Sequence, residues 1–388
     1  MGSLLLTIIY ICFISLGLPD SLLGSAWPVL HAEIHVPNSY AGILSTIICA
    51  GTILSSLFSG KLLSRFRAGK ITVVSIMMTA LGLFGFSVSN EFWMLVLWAI
   101  PYGLGAGGVD SVLNNYVAVH YKAQHMSWIH CMWGVGATIS PYIMSFSLLH
   151  LESWSAGYLI VSVIQVVVTA GVFISLPIWK KEIESKEGSQ EEEKISVSFK
   201  DIFSVKGAIP CFLGAFFYCA LELTSTLWAS SYLVQKWAFT PELAAGFASM
   251  FYIGITVGRF VNGFLAMKFK DCFLIRMGIA IITVGIGMLF VPFHVSFTLI
   301  GFALIGLGGA PIYPCLIHIT PEIFGKERSQ AMIGTLMAFA YTGFLTMPPL
   351  FGVIADSISI SLLPIYLLIL FVIMLVMCEN VIGKKVQI

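Results

Sequence analysis

Charge is what this chain has least of. Only 10% of its 388 residues are Asp, Glu, Lys or Arg, against about 25% in a soluble globular chain. That is too little to cover a water-soluble particle of this size, and the apolar content excludes a disordered chain. Neither sign prevails: 20 basic residues face 19 acidic ones, so there is no basic surplus for nucleic acid. Eight cysteines are present, but no CxxC occurs, and all except Cys272 sit inside apolar runs. They read as small packing residues rather than a disulfide or metal framework. No GxxxxGK[ST], HExxH or GxSxG motif and no paired His/Cys ligand set occurs. The chain is therefore not expected to be an enzyme or to carry a metal or cofactor, and any transport is expected to draw on an ion gradient. No basic stretch precedes the apolar run from Leu4 to Leu18, so the N-terminus reads as a retained first span rather than a signal peptide.

What is present is apolar sequence, 58% of the chain. A crossing of the hydrocarbon core takes roughly 20 apolar residues, and the runs divide into twelve spans: 4–30, 40–60, 71–89, 93–119, 128–149, 155–178, 207–234, 241–266, 273–292, 296–318, 329–354 and 358–379. With both termini placed in the cytoplasm, eighteen of the 20 basic residues fall in cytoplasmic segments, Lys236 falls outside and Arg259 lies within a span. This positive-inside bias fixes the expected orientation and supports the span count. The expected location is the cell membrane, multi-pass, in a bacterial inner membrane. A monomer is the default expectation, since the sequence carries no signal for an oligomer.

The one long polar stretch, 179–206, has the composition of a solvated cytoplasmic linker. It separates an expected N-terminal six-helix bundle, 1–178, from a C-terminal one, 207–388. The two halves are related. GKLLSRFRAGK at 60–70 corresponds to GFLAMKFKD at 263–271, and GLGAGG at 103–108 to GLGGAP at 306–311, each 203 positions on. Pro141 and Pro348 are 207 apart. This constant offset indicates a duplicated six-helix unit, an arrangement found in secondary transporters.

Twelve spans, a 6+6 repeat, a central linker and Gly-basic loops after spans two and eight resemble the major facilitator superfamily. The loop departs from the family pattern at Ser64, where an acid is usual; the basic residues Arg65, Arg67 and Lys70 remain, Arg65 and Arg67 as candidate gating residues. A narrower resemblance is to the fucose:proton symporter-like branch. It rests on GLPDSLLG (17–24), GLGAGGVDSVLNN (103–115), HCMWGVGATISP (130–141) and FYCALELTSTLWASSYL (217–233). In those symporters the acids of the first and fourth spans take part in proton coupling and sugar recognition, and Asp20 and Asp110 occupy these places here.

Four charged residues lie well inside spans: Asp20, Asp110, Glu222 and Arg259. An ionised side chain in hydrocarbon costs at least about 2.5 kcal/mol, so these are expected to face the bundle interior or a water-filled cavity. Desolvation favours the neutral form of a carboxyl group, and a carboxyl that gains and loses a proton is the minimum device for proton coupling. Asp20 is bracketed by Pro19 and Pro28, which favour a bent helix lining a cavity; the bland alternative is a structural acid paired with a neighbouring helix. Asp110 and Asn114 share a helix face four residues apart and together offer acceptor and donor groups for vicinal hydroxyls.

Glu222 has Tyr218, Ser225 and Thr226 on its side of span seven, with Trp228 on the same helix. It is a candidate substrate ligand, as are Tyr218, Trp228, Trp133 and His130. For His130 the simpler reading is a packing histidine. Arg259 reads as a gating or structural cation that pairs with an acid. His318 lies near a span end and reads as interfacial. Pro311, Pro314, Pro348 and Pro349 are expected to break or bend spans ten and eleven.

The expected function is proton-coupled uptake of a neutral, hexose-like sugar by alternating access, with protons as coupling ion and membrane lipid as surroundings. Proton-driven efflux of drugs or metabolites on the same fold is the alternative.

Overall fold

In the computed structural model the described residues are 2–121, 123–183, 203 and 205–385. They form fifteen α-helices and one 3-10 turn, with no strand among them. Eleven stretches are long and apolar enough to cross a membrane. The helix Ala123–His150 adds 28 residues, about 42 Å at 1.5 Å per residue, which exceeds a hydrocarbon core of roughly 30 Å.

The expected first span is two helices, α1 (Gly2–Asp20) and α2 (Leu22–Glu33), broken at Ser21. Then come α3 (Tyr40–Leu63), α4 (Ala68–Ser87), α5 (Phe92–His120), α6 (Ala123–His150) and α7 (Trp154–Ile183). The helix α7 runs five residues past the boundary expected at 178, and most of the expected linker lies outside the described residues. The second set is α8 (Ala208–Trp237), α9 (Pro241–Phe247), α10 (Ser249–Leu265), α11 (Asp271–Leu289), α12 (Val295–Gly309), α13 (Ile312–Phe324), α14 (Lys326–Ser357) and α15 (Leu363–Lys385). The pairs α9–α10 and α12–α13 are each one span broken in the middle. The second break falls at Ala310 and Pro311, where a bend is expected, whereas α14 runs through Pro348 and Pro349 without interruption.

The prolines explain the local geometry. A helical proline has no N–H for the carbonyl four residues back. Pro19 therefore strips Ser15, whose carbonyl instead accepts from Gln165 Nε2 of α7 at 2.5 Å; Ser15 Oγ donates in return to Gln165 Oε1. Pro141 strips Ala137, and Ser21 Oγ, at the break in span one, donates to that carbonyl at 2.8 Å. Pro349 strips Leu345, and Thr46 Oγ1 of α3 reaches it at 3.3 Å. The first two bonds satisfy buried groups that would otherwise cost about 1–3 kcal/mol each; the third lies at a half-buried carbonyl.

The glycine ladders seat span four and span ten between their neighbours. A Cβ on Gly103 would lie 2.3 Å from the Ile48 carbonyl oxygen, and one on Gly105 would lie 2.5 Å from that of Ser75. Gly306 meets the Phe251 carbonyl and Gly308 meets that of Gly278 in the same way. Every one of these four residues and contacts is 203 positions on from its counterpart, so the repeat in the sequence recurs atom against atom.

The helices α1–α7 meet those from α8 onward along three seams: α2 against α8, α3 against α14, and α6 against α9 and α10. At the end away from the termini the seam is tight. Gly42 packs on Pro349, Gly24 packs on the Thr226 and Leu227 backbone, and Ser39 N–H donates to Asp356 Oδ2 at 2.8 Å.

Candidate functional site

Between the two sets of helices lies a cavity of about 210 Å³. Its polar lining includes Asp20, Glu222, Ser45, Thr52 and Thr226, and its aromatic lining Trp133, Tyr102, Tyr252, Tyr341 and Phe344. Asp20 ends α1 at the break that Pro19 helps create, and its side chain is exposed to this space although it lies deep among helices. Glu222 comes from mid-α8, with 12% of its side chain exposed.

A chain of contacts crosses the cavity floor from one set of helices to the other. Trp133 Nε1 donates to Asp20 Oδ2 at 2.7 Å. The Arg259 guanidinium sits over the Trp133 ring, 4.7 Å from its centroid. Arg259 Nη2 is 3.9 Å from Glu222 Oε1. One indole thus touches an acid with its edge and a cation with its face, the arrangement its quadrupole favours. Arg259 is held further by a long 3.5 Å bond to the His130 carbonyl. Beside it, Gly134 leaves room for Thr256, whose hydroxyl meets Thr138 Oγ1 at 3.4 Å.

Of the residues singled out from sequence, Asp20, Trp133 and Glu222 are brought together at the cavity. Tyr218 is buried one turn before Glu222 on α8. Asp110 and Asn114 are paired, Asn114 Nδ2 to Asp110 Oδ1 at 2.8 Å, half-buried and off the cavity wall.

Other candidates also sit away from the cavity. Trp228 is fully buried, donates to the Pro348 carbonyl at 2.9 Å and packs edge-on to Phe351. It ties α8 to α14, because its direction on α8 is turned away from Glu222. His130 places its ring edge-on against Phe13, a packing role, and only its backbone touches Arg259. Arg65 and Arg67 are exposed on the α3–α4 loop, away from the cavity. His318 is exposed and pairs with Asp271 at 2.7 Å, joining α13 to α11.

The sequence reading missed Tyr102, Tyr252 and Tyr341. Tyr102 carried one available signal, since it opens the glycine ladder whose seating turns it inward.

The Major Facilitator Superfamily model matches residues 9–293 and, in a second overlapping match, 211–381. The chain belongs to the major facilitator superfamily. It is a multi-span membrane transporter rather than an enzyme. It is 23% identical to Bypass of stop codon protein 6 of Saccharomyces cerevisiae, over 92% of this chain and 78% of that protein. It is 22% identical to the glucose/mannose transporter GlcP of Bacillus subtilis, over 82% of this chain and 80% of that one. A crystal structure of a bacterial homolog of the human lysosomal transporter Spinster, inward-facing and occupied, superposes with a TM-score of 0.71 at 12% identity. It covers 100% of this chain and 97% of that one, and the likeness is one of fold.

Proposed function

We propose that the protein imports a neutral, hexose-like sugar coupled to protons, by alternating access. One observation carries this reading. A carboxylate from each set of helices, Asp20 and Glu222, opens into the same small cavity beside aromatic faces and hydroxyls. Carboxylates and hydroxyls accept and donate to sugar hydroxyls, and the tyrosine, tryptophan and phenylalanine rings offer faces to the C–H surface of a pyranose. At about 210 Å³ the space is below the roughly 300–1,000 Å³ typical of sites for drug-sized ligands, which favours a small substrate over the efflux alternative. The likeness to a glucose/mannose transporter and the four symporter-like stretches point the same way.

In this reading Asp20 is the proton carrier in contact with the cavity. Asp110 is a second acid, held by Asn114. Glu222 and Trp133 meet the substrate. With the termini in the cytoplasm, as the loop charges argue, the tight seam lies outside and the cavity serves the inward-facing stage. The six-helix units 1–178 and 207–388 rock about it.

The test is sugar-induced proton movement in reconstituted vesicles, with a panel of neutral hexoses and external pH as readout. Alkalinisation with one sugar, lost in Asp20→Asn and in Asp110→Asn, supports the reading. Vesicles with folded protein that bind or carry a hexose without moving protons overturn the coupling; no response to any hexose overturns the sugar.

A further inference from the structure

The glycines that seat α5 have a second effect. Gly103 and Gly107 bring α5 against α3, while Gly105 and Gly108 bring it against α4. The helices α3 and α4 straddle α5 and diverge from each other, leaving a furrow of about 620 Å³ on the outer surface. Its walls are Leu54, Phe58 and Leu62 of α3 and Val74 and Met78 of α4, with Leu104 as floor. Leu54, Phe58 and Val74 are 49%, 48% and 59% exposed.

The furrow ends at the α3–α4 loop, and every charged residue of α3, α4 and that loop is basic. Lys70 lines its end. Lys61 lies over the Phe58 ring, 5.5 Å from its centroid. Arg65 and Arg67 are exposed beside them. No Asp or Glu occurs between Glu33 and Glu91, so these cations have no acid on their own two helices to neutralise them. Arg67, the N-cap of α4, makes no side-chain bond to the first amides of this 20-residue helix, which starts at Ala68; those amides and the helix dipole favour an anion at that point.

We propose that this furrow is a binding site for an anionic phospholipid, with an acyl chain between α3 and α4 and the phosphate at Lys70, Arg67 and the α4 N-terminus. A free phosphate would leave the apolar furrow unfilled. A second copy of the chain would bring the same basic loop against itself in a two-fold contact, and like charges oppose that. Basic pockets at the cytoplasmic ends of membrane helices are suited to anionic headgroups.

The experiment exposes the purified, full-length protein to mixed micelles of phosphatidylglycerol and phosphatidylcholine of equal chain length, then counts retained lipids by native mass spectrometry. Wild type is expected to keep phosphatidylglycerol in preference to phosphatidylcholine. In Lys70→Gln with Arg67→Gln the preference falls by about tenfold or more, from a contribution of about 1 kcal/mol per basic residue near an anionic surface. Lys70→Arg keeps it, which separates loss of charge from loss of fold. Val74→Trp, which narrows the furrow between α3 and α4 without touching charge, retains less of both lipids. Equal retention of the two lipids by wild type overturns the proposal. So does full competition by inorganic phosphate at matched ionic strength, or undiminished retention in Val74→Trp.

Discussion

The carboxylate of Asp356, at the end of α14, accepts a hydrogen bond from the backbone amide of Ser39, the N-cap of α3, at 2.8 Å. A side chain from after the linker thereby caps a helix from before it. The contact joins the two sets of helices only while that end of the protein is closed. Asp356→Ala removes an acid–helix interaction of about 1 kcal/mol, roughly a fivefold change in an equilibrium. The expected result is a larger population open at that end. Spin-label distances between the α2–α3 and α14–α15 connections would read it, and an unchanged distribution would remove Asp356 as a latch.

Trp133 separates two jobs that a single substitution can divide. Trp133→Phe keeps a ring under Arg259 and deletes the N–H that Asp20 receives. A hydrogen bond to a charged group is worth about 1.5–3 kcal/mol, so under the proposed sugar:proton symport the proton flux is expected to fall by about tenfold or more. Trp133→Ala, which also loses the cation–π contact, should fall further. Equal rates in wild type and Trp133→Phe would show that the Asp20–Trp133 bond does not bear on transport.

Arg259 and Glu222 form a pair whose side chains keep 20% and 12% exposure. Removing either leaves a mostly buried charge alone, which costs up to about 3–5 kcal/mol for a fully buried pair and less here. Glu222→Gln and Arg259→Met should each lower the melting temperature, and the double variant should recover part of the loss. Additive losses would show that the two side chains do not interact.

The exchange between Ser15 and Gln165 makes a sharper test of the proline argument. Gln165→Leu should destabilise by about 1–3 kcal/mol, the cost of an unpaired buried polar group. Pro19→Ala in that background restores a backbone N–H for Ser15 and should recover stability. A double variant no more stable than Gln165→Leu would refute the account.

The glycine seats differ in what they tolerate. A Cβ on Gly254 would lie 1.9 Å from the Ala303 carbonyl oxygen, whereas Gly171 has nothing within 4 Å. Gly254→Val is expected to abolish folded protein in a detergent size-exclusion assay, and Gly171→Ala to be neutral. Normal yield of Gly254→Val would mean that α10 and α12 separate more easily than their packing indicates.

The parts of the site that could be read from sequence are those with local causes. Pro19 announced a break beside Asp20, and Asp110 and Asn114 met because four residues is one helical turn. The glycine ladders announced close packing and the repeat. Relations set by azimuth and long-range docking were not legible. Trp133 and Asp20 are 113 positions apart, and Ser39 and Asp356 are 317 apart. Trp228 shares a helix with Glu222, yet 120° of rotation sends it into the contact with Pro348 instead of the cavity. Tyr252 and Tyr341 sit in apolar runs where nothing nearby distinguishes a cavity wall from a lipid-facing ring.

The Thr46 hydroxyl carries one more consequence. The Leu345 carbonyl that Pro349 deprives of its helical partner finds its donor on the opposite side of the seam. When that seam parts, neither the α-helical nor the 3-10 partner within α14 can take over, because the residues four and three further on are Pro349 and Pro348. The vacated oxygen then turns to solvent, so parting at Thr46 and Leu345 goes together with wetting of the seam. A dry, merely loosened version of that end would strand the carbonyl, and this disfavours states halfway between sealed and flooded.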